Sequence, residues 1–242
     1  LAKLEIAMKY LVLFALSIPL LAAPVADLVD RMPTFGQNAR FEGPAWQEAI
    51  AIFDELLAGG DVAILAVVDL LIEPSETANF KPRYVMHGLA QYVARADKAQ
   101  ARALFLRALG KAVTDEKRPI AVRGFLLRQM QVCAGSDSIP QLAAAVRSPQ
   151  LSEYAVQALA AIGEPAAAKP LLAALADADG KLRKTIVQGL GQLGSRDAVP
   201  ALIAALQGDP ELRVTAAHAL AKIGDPAAID PLLASIVGKA DF

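Results

Sequence analysis

Four prolines, Pro140, Pro170, Pro200 and Pro231, stand 30, 30 and 31 residues apart in a chain of 242 residues. Each leads into a matching apolar frame of helical spacing: Leu142-Ala-Ala-Ala-Val146, Leu171-Leu-Ala-Ala-Leu175, Leu202-Ile-Ala-Ala-Leu206 and Leu232-Leu-Ala-Ser-Ile236. Proline is best tolerated in the first turn of a helix, where its missing N–H costs least. Each frame therefore reads as the first helix of a unit. A second phrase recurs with the same period: Ala158-Leu-Ala-Ala-Ile-Gly163, Gly189-Leu-Gly-Gln-Leu-Gly194 and Ala219-Leu-Ala-Lys-Ile-Gly224. It ends a second helix, with the glycine placed for a left-handed cap. The units run Gly135–Ile162, Gly163–Leu193 and Gly194–Ile223, and Gly224 opens another. A helix pair of this size cannot bury its own apolar face, so copies must stack.

Two looser copies lie upstream. Arg118–Cys133 matches a second helix, with Asp97–Val113 as its first; Pro82–Val93 matches another, with Val62–Ile72 before it. Pro44–Leu57 reads as one more amphipathic helix, with Trp46, Ile50, Phe53 and Leu57 on one face, covering the first repeat. Glu73–Lys81, rich in Pro, Ser, Thr and Asn, is the longest internal loop. Composition agrees with close helix packing. Alanine is about a fifth of the chain, aromatics only 5%, and 55% of residues are hydrophobic. No alternation of strand type persists, so the fold class is all-α.

The N-terminus has the pattern of a secretory signal peptide. Lys9 precedes an uncharged run from Tyr10 to Ala26, interrupted by Pro19 and Pro24 and closed by Ala22, Ala23 and Ala26. Seventeen residues is short for a bilayer-spanning helix, which needs about 20. The expectation is an exported protein, periplasmic or extracytoplasmic, with no membrane span in the mature chain. The organisation expected is a signal peptide region at 1–26, an N-terminal segment with a capping helix at 27–59, degenerate repeats at 60–134 and clear repeats at 135–242.

Gly224-Asp-Pro-Ala-Ala-Ile-Asp-Pro-Leu-Leu, together with Pro210-Glu-Leu-Arg-Val-Thr-Ala-Ala-His-Ala-Leu-Ala-Lys-Ile, resembles HEAT-like repeats of the phycobilisome-lyase type. The upstream part, through Arg83-Tyr-Val-Met-His-Gly-Leu-Ala and Arg123-Gly-Phe-Leu-Leu-Arg-Gln, is similar to exported bacterial HEAT-repeat proteins of undefined function. The resemblance implies a right-handed α-solenoid of about five and a half helix pairs, with an N-terminal capping helix and second helices lining a concave face. Members of that class mostly hold other proteins, and a minority are enzymes.

Aligning the second helices gives the column His87, Arg128, Gln157, Gln188 and His218. Positions four residues away share that face, adding Arg83 and Lys184 on one side and Gln192 and Lys222 on the other. These nine residues form a candidate protein-binding strip, rich in hydrogen-bond donors; the competing reading is an ordinary solvated helix face. A second column, Arg123, Arg183 and Arg213 with Ser152 in the remaining copy, begins each second helix near acidic residues (Asp115 or Glu116, Asp177 or Asp179, Asp209 or Glu211) and reads as structural.

Catalytic signals are weak. His87 and His218 lie four repeat steps apart, too far to share a metal at the 8–10 Å typical of packed helices. Neither is followed by Glu, as the iron-binding hydroxylases of this repeat class require. Cys133 reads as a buried core thiol, and Gly59-Gly60 has no phosphate-loop continuation. With 24 Lys+Arg against 25 Asp+Glu and one Trp, a nucleic-acid groove is not expected. The leading expectation is a non-enzymatic scaffold that binds another protein through the concave face, with no cofactor and no catalytic residue. The alternative is a bilin-lyase-like enzyme or enzyme subunit. The final helix, Pro231–Val237, is either a cap or the edge of a truncation; in the latter case end-to-end self-association is expected.

Overall fold

The computed structural model describes residues 25–33, 44–71 and 80–237, and every regular element among them is helical. The protein divides into two units between Val122 and Arg123.

In the first unit, residues 25–31 form α1, followed by α2 (Pro44–Ala58), α3 (Gly60–Asp69), α4 (Phe80–Val93) and α5 (Ala99–Thr114). The region expected as a signal peptide lies outside the described residues except for Val25 and Ala26. Val25 is buried in α1 with Leu28 and Val29, and Lys81 ties this helix to α4 by donating to the Asp30 carbonyl. Most of the expected 73–81 loop is likewise outside the described residues, and α4 already begins at Phe80.

Helices α2 and α3 meet at a corner made by Gly59-Gly60, where Gly60 takes φ +67°. A left-handed φ is strained for residues with a Cβ, so this glycine pair serves the turn. As expected, α2 covers the pair that follows, packing on α3 and α4. The face it uses is not the one expected. Ala49, Ile52, Phe53 and Leu56 are buried, whereas Trp46 is 41% exposed and Ile50 and Leu57 are half-buried. Phe53 determines the rotation. It lies over Gly88, where a Cβ would stand 2.5 Å from its Cζ. Its ring centroid is 5.6 Å from that of Tyr92, whose hydroxyl donates to Asp54 at 2.7 Å.

Helices α3 and α5 pack side by side as the first helices of successive pairs. Asp61 clamps them. It accepts from Arg107 Nη2 at 2.7 Å and Nε at 3.1 Å, and from Lys111 Nζ at 2.6 Å. These bonds, Arg107 first and Lys111 second, hold the Asp61 carboxyl below its ordinary value of 3.8. A depressed folded-state pKa contributes stability that is present above the ordinary value and lost as pH falls through the folded one. Asp61→Asn is therefore expected to flatten the acid limb of the stability profile below pH 3.8, while remaining folded at pH 7. Acid titration followed by circular dichroism checks this; an unchanged acid limb would show that the clamp contributes nothing.

The second unit begins within α6 (Ile120–Cys133) and continues as short first helices alternating with longer second ones. These are α7 (Ile139–Val146) and α8 (Ser152–Ile162), α9 (Ala168–Leu175) and α10 (Gly180–Leu193), α11 (Val199–Ala205) and α12 (Pro210–Ile223), then α13 (Ile229–Val237). The four prolines fall at the second or third helical position, as their chemistry requires. A single 3-10 turn precedes each first helix: Ser136–Ser138, Pro165–Ala167, Arg196–Ala198 and Pro226–Ala228. Gly163, Gly194 and Gly224 cap the second helices at φ 73°, 65° and 67°. Gly135 does not match them. Its φ is −127°, because α6 has already ended at Cys133, which is buried as expected.

The first helices bury one leucine column, Leu142, Leu171 and Leu202, each fully inaccessible. The second helices stack in the order α8, α10, α12. Arg183 and Arg213 of the arginine column are structural, but their acceptors are loop carbonyls rather than the neighbouring carboxylates. Arg183 Nε donates to Ala178 O at 2.6 Å, and Arg213 donates to Leu206 O and Gly208 O, both at 3.1 Å. Each guanidinium therefore closes the connection between its own two helices, satisfying carbonyls that the first helix leaves unpaired. In the remaining copy Ser152 does the same on a smaller scale, donating to Pro149 O at 3.3 Å. The carboxylate of Asp209 instead caps its helix, accepting from the Leu212 N–H at 2.9 Å.

Candidate functional site on the second helices

The aligned column emerges on the surface. His87, Arg128, Gln157, Gln188 and His218 are all exposed, because the apolar residues on either side of each, such as Val187 and Leu190 around Gln188, are turned into the core. Arg83 is half-buried, and with His87 it belongs to the first unit. There the Gln91 amide nitrogen lies 2.9 Å from His87 Nε2, so this imidazole is engaged by its own helix.

In the second unit the expected residues separate into two kinds. Arg128 and Lys184 are committed to packing between helices. The Arg128 guanidinium sits 5.3 Å from the centre of the Tyr154 ring, a cation–π distance. That ring reaches α6 because Gly124 leaves room for it; a Cβ there would stand 3.0 Å from Cε2. Lys184 pairs with Glu211 on α12, and this carboxylate raises the lysine's pKa. One repeat earlier, Lys181 of α10 pairs with Glu153 of α8 at 2.6 Å. The α8–α10 and α10–α12 contacts thus each carry one lysine–glutamate bridge near the helix starts.

The remaining five residues line two adjoining grooves. Between α8 and α10 lies a groove of about 390 Å³ that includes Gln157, Gln188 and Gln192, with Gln131 and the Glu153–Lys181 pair at its border. Between α10 and α12 lies one of about 360 Å³, walled by Gln188, Gln192, Thr215, His218 and Lys222. Gly191 and Ala219 form its floor. Gln188 and Gln192 are shared by both grooves, so the polar surface runs without interruption from α8 to α12.

Thr185, Thr215 and Gln131 are not among the expected site residues, although Thr185 and Thr215 hold the same position in α10 and α12. The signal was present three residues before Gln188 and His218. Positions three apart share a helix face as much as positions four apart do. On the first-helix side, a separate, more apolar groove of about 500 Å³ runs between α9 and α11, lined by Leu172, Leu175, Ala201, Ala204 and Ala205 among others.

Comparison with known families places the repeat in a recognised class. The family of HEAT repeats matches residues 168–241, and the PBS lyase HEAT-like repeat matches residues 153–177. Residues 153–241 are thus similar to HEAT-like repeats. These matches cover the α8–α13 pairs, where the proline and glycine phrases are clearest. No curated protein matches the chain. In HEAT-like terms, the two polar grooves lie between successive second helices, and the apolar groove lies between successive first helices.

Proposed function

We propose that this protein is an exported, non-catalytic scaffold that binds another protein through its second-helix face. The observation that carries the reading is the continuous polar surface from Gln157 through Gln188 to His218, with Gln188 common to two grooves. A solvated face needs only to be polar. Here the polar side chains also border concavities floored by small residues, which gives a partner shape as well as hydrogen bonds. Export rests on the Met8–Ala26 pattern. No helix among the described residues is long and apolar enough to cross a membrane.

The test is a cross-linking capture from extracytoplasmic extract, comparing wild type with a variant carrying Gln157→Glu, Gln188→Glu and His218→Glu. All three positions are exposed and line the grooves, so the variant is expected to keep its helical content. The expected result is a discrete partner captured by wild type and lost from the folded variant. Equal capture by both would remove the face from consideration.

The PBS lyase HEAT-like match at 153–177 supports a second reading, a bilin-lyase-like enzyme or enzyme subunit. Visible absorbance that co-purifies with the protein would favour that reading, and a colourless protein that captures its partner would disfavour it.

A further inference from the structure

We infer that the groove between α10 and α12 takes a carboxylate from an extended acidic segment of the protein partner. This deepens the protein-binding reading and rests on it. The charge pattern of the face points to an anion. Lys181 and Lys184 each already face a carboxylate, Glu153 and Glu211 respectively. Lys222 has no ion-pair partner among the described residues. It closes a groove whose other polar walls are the Gln188 and Gln192 amides, the Thr215 hydroxyl and the His218 imidazole, with no carboxylate in the lining. The Thr215 proton is directed to Glu211 O at 2.8 Å, which leaves Lys222, His218 and the two amides as the donors available to an anion.

The spacing of the face indicates the form of the segment. Stacked helices lie about 8–10 Å apart, and an extended backbone advances about 3.3 Å per residue. An extended segment crossing α8, α10 and α12 therefore meets a new helix about every third residue. At Gln157 and Gln188 it meets side-chain amides, which both donate and accept and so match backbone carbonyl and N–H groups. At the α12 end it meets Lys222 and His218, where an Asp or Glu side chain is complementary in charge. Lys222 also lies in the last turn of α12, where a cation suits the helix dipole, so the discriminating readout is binding rather than stability.

The experiment pans a displayed library of random peptides about nine residues long against the full-length protein. Lys222→Glu, Lys222→Gln and Gln157→Ala/Gln188→Ala variants are panned in parallel, each confirmed as folded by circular dichroism. The expected result is enrichment of peptides with Asp or Glu at one fixed position. Those peptides bind Lys222→Glu at least about tenfold more weakly, the scale of one charge-assisted hydrogen bond. They bind Lys222→Gln with a smaller loss. Peptides that lack a fixed acidic position yet still depend on Gln157 and Gln188 overturn the carboxylate assignment and leave the protein-binding reading standing. Peptides indifferent to every variant overturn both. A library with no enrichment overturns the extended-segment inference, and the capture experiment then decides the broader reading on its own.

Discussion

Gly191→Val is expected to lower the stability of the protein by about 3 kcal/mol, at the upper end for overpacking a closely fitted interface. A Cβ at Gly191 would stand 2.5 Å from Ala219 Cβ and 2.6 Å from Ala219 Cα. The second of these is a backbone atom, so relief requires α10 and α12 to move apart rather than one side chain to turn. Gly191→Ala is a sharper case of the same physics. Helix propensity alone would favour alanine by about 1 kcal/mol, yet the clash is expected to reverse that sign. Gly189, two residues away, is the internal control. A Cβ there meets only side-chain atoms at 3.3 Å or more, and Gly189→Ala is expected to stay within about 1 kcal/mol of wild type. Urea denaturation of the three variants checks the order; if Gly191→Ala were as stable as Gly189→Ala, the close approach of α10 and α12 would be wrong.

Phe53→Ala is expected to cost about 3–5 kcal/mol, the range for emptying a fully buried aromatic site. Phe53 is 1% exposed, fills the space that Gly88 leaves open, and anchors α2 to α4 beside the Tyr92–Asp54 hydrogen bond. Trp46→Ala, on the same helix, is expected to cost about 1 kcal/mol or less because that ring is 41% exposed. The contrast bears directly on the orientation of α2. A face built on Trp46, Ile50, Phe53 and Leu57 would make the two substitutions comparable, whereas the observed face separates them by several-fold in the loss measured from denaturant midpoints.

The α2 helix shows where sequence reasoning stops. Spacing identifies the helix and its role as a cover, but several apolar stripes fit a helix of this composition. The choice among them is made by a glycine on another element, Gly88, which no local pattern links to Phe53. By contrast, the repeat is legible because its signals are local. A proline restricted to the first turn and a glycine restricted to a left-handed cap act through the backbone of their own unit, so Pro140, Pro170 and Pro200, and Gly163, Gly194 and Gly224, sit where their chemistry requires. The 3-10 turns before each first helix carry no such restricted residue in common. Ser136, Pro165, Arg196 and Pro226 open them, and no shared signal announces them.

The candidate site is partly legible for the same reason. Helical period places Gln157, Gln188 and His218 on one exposed face. It does not reveal which charged neighbours are already satisfied across helices. Lys184 and Lys222 look alike as charged flanks of the aligned column, yet one is paired with Glu211 and the other borders a groove. Arg128 looks like a binding residue until the Tyr154 ring beneath it is seen. Contacts between repeats, rather than periodicity within them, therefore separate Arg128 and Lys184 from the five residues that line the two grooves.

The proposed binding surface is the second-helix face and not the apolar groove between the first helices. Site-specific photo-crosslinking in native extract separates the two, with the reactive residue placed in turn at Gln157, Gln188 and His218 on one side and at Leu172 and Ala201 on the other. Adducts of one discrete mass are expected from the three second-helix positions and none from Leu172 or Ala201. Adducts from Leu172 and Ala201 alone would contradict the proposal and move the function to the groove between α9 and α11.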